Sequence, residues 1–235
     1  MMPPDDAGTP RQLPLALPAE NSFAREDFLV GPSNRAALEL IDRWPQWPAR
    51  IVVLWGPLGA GKSHLIAAWA AATGASIFSA ADLGRIDPVA AVAHGPVAVE
   101  DVDGGPIDEV GLFHLVNAAN AGGHLILSAR TPPSQWGVRL PDLASRLRAA
   151  TRVEIDEPDD GLLLRVLVKL FSDRQLVVDP GVLSYALARM ERSFAGANAL
   201  VEQVDRLALA LRRPVTRAMV ADVMARMESE RGHPQ

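Results

Sequence analysis

The sequence predicts an α/β fold: a parallel sheet with helices on both faces, followed by a small all-helical unit. Three observations predict it. Ile51-Val52-Val53-Leu54-Trp55 is a continuous β-rich apolar run, as expected of a strand covered on both faces. Short strand-like and helical stretches then alternate as far as Ile155. After Pro158 helical periodicity continues with no strand between the helices. The chain has 235 residues, enough for one α/β domain with a helical companion, and its 49% apolar content supports a substantial core. It contains no cysteine, which excludes disulfides, thiolate metal sites and cysteine nucleophiles.

Residues 1–20 read as an extended arm rich in proline, alanine and acidic groups. Gln12-Leu13-Pro14-Leu15-Ala16-Leu17 forms an apolar island within it, with three leucines at alternating positions. As an extended peptide the island suits a partner's pockets; packing on its own domain is the alternative. Folded structure is expected to begin between Phe23 and Val30. A helix follows, opened by Ser33 or Asn34 and running to Trp44, where Pro45 and Pro48 end it. The strand at 51–55 leads through a glycine-rich loop into a helix from Lys62 to Thr73.

Further strands are expected at Ser76–Ala80, at Pro96–Val99 and at His124–Ser128, with a last one at Arg152–Ile155. Asp82 is expected to cap a short helix, Ile107–Asn120 has helical period, and Leu143–Leu147 suggests one more helical turn. The helical unit comprises Gly161–Ser172, Pro180–Met190, Ala197–Arg212 and Thr216–Glu230. Leu162, Val166, Leu170, Leu207 and Leu211 make its apolar stripes, expected to be core.

Gly56-Pro57-Leu58-Gly59-Ala60-Gly61-Lys62-Ser63 fits Gly-x-x-x-x-Gly-Lys-Ser/Thr, with a strand before it and a helix after it. Glycines let successive backbone N–H groups turn inward around a phosphate, and the positive end of the following helix adds to the attraction. Lys62 is expected on the β- and γ-phosphates and the Ser63 hydroxyl on Mg²⁺. The expected ligand is therefore a nucleoside diphosphate or triphosphate with Mg²⁺. Lys62 is one of only two lysines in the chain.

An acidic partner for the ion belongs at the end of a neighbouring strand, and Glu100-Asp101 ends the run Val97-Ala98-Val99. Glu100 is the metal candidate and Asp101 the group that would polarise a water; capping of the next loop is the other role open to them. Ser128, ending the strand alongside, is placed to sense the γ-phosphate or to begin the loop that follows. Arg146 could reach a neighbouring subunit's nucleotide, where such a residue accelerates phosphoryl transfer ~10³–10⁵-fold, or could be an ordinary surface arginine.

A net charge of -5 argues against a strongly basic nucleic-acid surface, so direct DNA contact is expected to be weak or absent. No apolar stretch approaches the ~18 residues of a membrane span, and the first residues have no signal-peptide pattern.

Several segments together resemble the AAA+ superfamily, in particular the ATPase module of DnaA initiators and the Hda-type regulators related to it. These are Asn21-Ser22-Phe23, Phe28-Leu29-Val30-Gly31-Pro32-Ser33-Asn34, the phosphate loop continued by His64-Leu65, and Leu140-Pro141-Asp142-Leu143-Ala144-Ser145-Arg146-Leu147. The resemblance implies an AAA+ domain over 21–157 and a helical lid over 158–235. It implies that Phe28, Leu29 and Val30 surround the adenine, that Pro57, Gly59, Ala60, Gly61, Lys62, Ser63 and His64 hold the phosphates, and that Arg146 is an arginine finger. Gln12, Leu13, Leu15 and Leu17 resemble a motif that binds the sliding clamp, the β subunit of DNA polymerase III.

By the same resemblance the chain would be a cytoplasmic negative regulator of replication initiation. Sitting on the DNA-loaded clamp, associated with the replicating nucleoid, it would hold ADP and stimulate hydrolysis of DnaA-bound ATP; a homodimer is a further possible partner state. Weak intrinsic ATPase activity is expected. A non-enzymatic DnaA-like adaptor or loader and a self-contained ATPase are the alternatives. Two departures matter: Glu100 stands where an aspartate is usual, and Ala195 stands where the lid's sensor arginine is expected. Arg192, one helical turn earlier, would be the substitute if the helix extends back to it.

Overall fold

The computed structural model describes residues 28–231, so the arm and its candidates Gln12, Leu13, Leu15 and Leu17 lie outside the described residues. Five strands form one sheet: β1 Ile51–Trp55, β2 Ser76–Ser79, β3 Val97–Glu100, β4 Leu125–Ala129 and β5 Thr151–Glu154. Their order is β2-β3-β4-β1-β5 and every pairing is parallel. Central β1 is buried from Ile51 to Leu54, which explains its unbroken apolar sequence. In register it sets Leu54 opposite Ser128 and Trp55 opposite Ala129, so the carboxyl ends of β1 and β4 finish side by side.

Helices α1 Arg35–Asp42, α2 Lys62–Thr73, α3 Pro88–His94, α4 Glu109–Gly122 and α5 Pro141–Ala149 connect or flank the strands. They divide the α/β core into two layers. One holds Val53, Val99, Leu127, Leu112, Leu115, Leu143 and Leu147, and the other holds Leu54, Ile126, Leu38, Leu65, Ile66 and Trp69. Helices α6 Asp160–Asp173, α7 Pro180–Leu187, α8 Phe194–Leu211 and α9 Arg217–Arg231 follow with a core of their own around Leu163, Leu167, Phe171, Leu200 and Val204.

Several expectations need correction. The helix at Ala80–Arg85 is a 3₁₀ turn whose cap is Ser79, accepting from the Ala81 N–H, with Asp82 inside the first turn. Helix α1 ends at Asp42, short of Trp44, and the Asn34 side chain does not cap it. Helix α3 was not anticipated, although Asp87, accepting from Val89 and Ala90, and Pro88 at the first helical position are a standard start signal. Leu162 is wholly buried against Gly31, and Val166, Leu170 and Leu207 pack against the lid core as expected, but the centre of that core on α6 is the neighbouring set Leu163, Leu167 and Phe171. Leu211, expected to be buried, is half exposed.

Candidate functional site

The phosphate loop occupies the carboxyl end of β1, where residue 56 must leave the sheet at once. A Cβ there would lie 2.0 Å from the Ile155 carbonyl oxygen, so only glycine lets the chain pass β5's continuation. Gly56 N–H donates to the Ala129 carbonyl at 3.2 Å, tying the loop to the end of β4. Gly61 is the N-cap of α2 at φ +98, a left-handed conformation that favours glycine. Beyond it, the N–H groups of the first turn of α2 have no intrahelical acceptors. Ser63 is exposed, and Ala60 and Lys62 are buried.

Lys62 points back into the loop. Its ammonium donates to the carbonyls of Gly56 at 2.7 Å and Pro57 at 2.8 Å. Burial lowers its pKa; Asp101, Asp103 and Glu100 act in the opposite direction, and Arg130 adds to the lowering. A phosphate group beside it would favour the charged form.

The carboxyl end of β3 supplies the acidic side. One oxygen of Glu100, Oε1, is buried with no hydrogen-bond partner. A desolvated carboxylate oxygen without a donor is costly unless a cation or water completes it. Hard oxygen donors, Glu100 and the Ser63 hydroxyl, match the preferences of Mg²⁺, which takes one or two protein ligands and fills its octahedron with water and phosphate oxygens. The described residues contain no cluster of three acidic or histidine groups able to hold a metal by themselves. Asp101 follows, exposed and at φ +52. Its N–H donates to the Ser128 hydroxyl at 3.1 Å, so Ser128, almost wholly buried, joins the ends of β3 and β4 and keeps its own proton to donate.

Asp103 was missed in the sequence. Its carboxylate accepts from the N–H groups of Arg130 at 2.8 Å and Thr131 at 2.8 Å and from the Thr131 hydroxyl at 2.7 Å, locking the loop after β4 to the loop after β3. Burial pushes its pKa up, but these hydrogen bonds outweigh burial and hold it below the usual carboxylate value. The alternation Asp101-x-Asp103 just past a strand was the available signal.

The segment 28–34 lies between the loop and the lid. Phe28 is buried and meets the ring of His64 edge-on at 5.5 Å. Asn34, fully buried, accepts from Gly31 N–H at 2.8 Å and donates to the Leu29 carbonyl at 3.0 Å, so its side chain folds this segment instead of capping α1. Arg165 of α6 donates to the Val30 carbonyl at 2.7 Å.

The lid rests directly on the loop. Phe194 N–H donates to the Gly59 carbonyl at 3.0 Å, and a Cβ on Gly59 would lie 2.8 Å from Ser193 Cβ and 3.4 Å from Ala195 Cβ. Ala195 thus sits in the first turn of α8, against the loop. The condition set for Arg192 fails, because α8 begins at Phe194 with Ser193 as cap. Arg192 lies before the helix, and its guanidinium pairs with Asp160 at 2.7 Å on an exposed surface.

Arg146 belongs to a different part of the surface. Leu143 and Leu147 anchor α5 in the core, which leaves Arg146 exposed on its flank with the guanidinium 5.7 Å from the centre of the Phe113 ring. Among the described residues it makes no ion pair. A groove of about 640 Å³, lined in part by Leu83, Ile86, Val89, Val110, His114 and Asn117, shares no residue with the glycine-rich loop at 56–63, and its wall is largely apolar.

No family model matches the chain. Solved structures do. Domain III of the Thermotoga maritima replication initiation protein DnaA superposes with a TM-score of 0.74 at 14% identity, covering 86% of this chain and 95% of that one. AMPPCP-bound DnaA from Aquifex aeolicus gives 0.64 at 20% identity, covering 80% of this chain and 65% of that longer one. The Thermotoga maritima RuvB Holliday junction branch migration motor gives 0.67 at 15%, covering 86% and 71%. Identities this low establish the fold, which is that of the AAA+ ATPase domains.

Proposed function

We propose that the chain is a DnaA-related regulator that holds a nucleotide in its own phosphate loop and stimulates hydrolysis of ATP bound to a partner AAA+ protein, the DnaA initiator. The observation that carries this reading is the uncommitted, exposed guanidinium of Arg146, on a helix that resembles an arginine-finger segment. An arginine without an ionic partner is available to a phosphoryl group on another molecule, where positive charge stabilises the transferring phosphate. The likeness to DnaA structures, among them one bound to AMPPCP and single-stranded DNA, supports both the nucleotide and the choice of partner.

In this reading residues 21–157 bind the nucleotide and 158–235 cover it. Gly59, Ala60, Gly61, Lys62 and Ser63 hold the phosphates, and Phe28 to Val30 take the base. Mg²⁺ would be held by Ser63 and Glu100, and it supplies charge neutralisation to the phosphates. Ala195 puts a methyl group where a sensor arginine would contact the γ-phosphate, which suits a protein working in its ADP form. Gln12, Leu13, Leu15 and Leu17 tether it to the clamp in the cytoplasm. No helix among the described residues is long and apolar enough to cross a membrane.

The test is hydrolysis of ATP preloaded on DnaA, measured with and without this protein and DNA-loaded clamp. Stimulation that needs both additions and disappears on deletion of residues 1–20 is the expected result; no stimulation by the full chain refutes the reading. A self-contained ATPase is the second reading, favoured by the unpartnered oxygen of Glu100 beside exposed Asp101. It requires sustained ATP turnover by the pure protein alone.

A further inference from the structure

Helix α4 is more than a sheet-covering helix, because two of its side chains reach α5. Glu109, its first residue, accepts from the N–H of Arg139 at 3.0 Å with each carboxylate oxygen and from the N–H of Leu140 at 2.8 Å. Leu140 is the N-cap of α5, has no side-chain cap of its own, and precedes Pro141, which has no N–H to offer. A carboxylate from about thirty residues upstream therefore holds the backbone where it enters the helix, and its negative charge sits favourably at that helix's positive end. Phe113, one turn along α4 and on the same side as Glu109, places its ring beneath the Arg146 guanidinium. The core leucines, Leu143 and Leu147, set the rotation of α5 about its axis.

The three sets of contacts control different variables. The leucines orient the helix, Glu109 fixes its position along the axis, and the Phe113 ring limits where the guanidinium can go. An exposed arginine otherwise samples many rotamers, and ordering it is entropically costly. A ring face holds it by cation–π attraction without consuming its hydrogen-bond donors, leaving them available for phosphate oxygens.

We propose that Glu109 and Phe113 are positioning residues for Arg146: α4 is the template that presents the finger to the partner's nucleotide. This inference rests on the reading of Arg146 as a finger.

The test uses the full chain with clamp and ATP-loaded DnaA, titrating this protein to separate maximal hydrolysis rate from the concentration giving half of it. Glu109→Ala is expected to lower the maximal rate about 10–100-fold, the range that ångström-scale misplacement produces. Phe113→Leu is expected to lower it about 2–5-fold, in line with an exposed cation–π contact, while Phe113→Tyr restores it. The half-maximal concentration and ADP affinity of the Phe113 variants stay at wild-type values. Should Glu109→Ala fail to fold, the Leu/Tyr pair at 113 decides. Leu and Tyr variants equally active at wild-type level, with Arg146→Ala inactive, overturn the template role and leave the finger standing. Full activity of Arg146→Ala overturns the finger and the template together.

Discussion

The phosphate loop and the arginine helix are built in opposite ways. The loop takes its internal shape from contacts within a few residues, Lys62 donating to Gly56 and Pro57 and Gly61 starting α2 through its own backbone conformation, while Gly56 and Gly59 moor it to Ala129 and Phe194. The arginine helix is held by groups distant in sequence, Glu109 at its entrance and Phe113 under its guanidinium. A contiguous motif can therefore keep its shape through many changes elsewhere in the chain. An assembled site depends on several elements at once. The difference suits their proposed tasks, since the loop grips a ligand from within one chain and Arg146 must meet another molecule at a defined place.

Three substitutions break or sharpen this contrast. The largest effect is expected from Arg146→Ala, a fall of about 10³-fold in maximal stimulation of DnaA-bound ATP hydrolysis, roughly 4 kcal/mol of barrier. Calorimetric ADP affinity should be unchanged, because no loop contact involves this side chain; a parallel loss of ADP binding would show that the two regions are not independent.

Lys62→Ala comes next. Loss of a charge-assisted contact to phosphate is expected to weaken ADP and ATP about 100-fold, roughly 3 kcal/mol, in the same calorimetric titration. Wild-type affinity in this variant would remove the loop from the nucleotide site.

The smallest effect is expected from Asp103→Asn, about 1 kcal/mol of stability at neutral pH, since the site is partly open to solvent. Its folded pKa lies below the ordinary 3.8, so its stabilisation is present above that value and fades as pH falls through the lower folded value. Melting curves of wild type and variant should therefore differ at neutral pH and converge in acid. A difference that persists at low pH would mean that the carboxylate's charge is not what joins the two loops.

Legibility followed the same division. Strand β1, the loop and α2 could be read from residues 51–73, because apolar runs, glycine spacing and helix period are all short-range signals. The lid's four helices and the Leu162, Val166 and Leu170 stripe of α6 were readable by period, but not that the neighbouring Leu163, Leu167 and Phe171, about 100° of rotation away, form the centre of the core. The proposed roles of Glu109 and Phe113 were invisible because their partners lie about thirty residues away across a strand and a loop. The condition set for Arg192 also depended on where a helix starts. The residue's distance from Ala195 matches one helical turn, but Ser193 starts the helix after it.

By itself the sequence determined the alternation of elements, the phosphate-loop geometry and the change to an all-helical unit, since each follows from backbone preferences and periodicity over a few residues. Only the tertiary structure decided which carboxylates meet which loops, that the lid's α8 rests on Gly59, and that Arg146 lies over Phe113. Those are contacts between elements whose relative placement depends on how the whole sheet and both of its helical layers pack together.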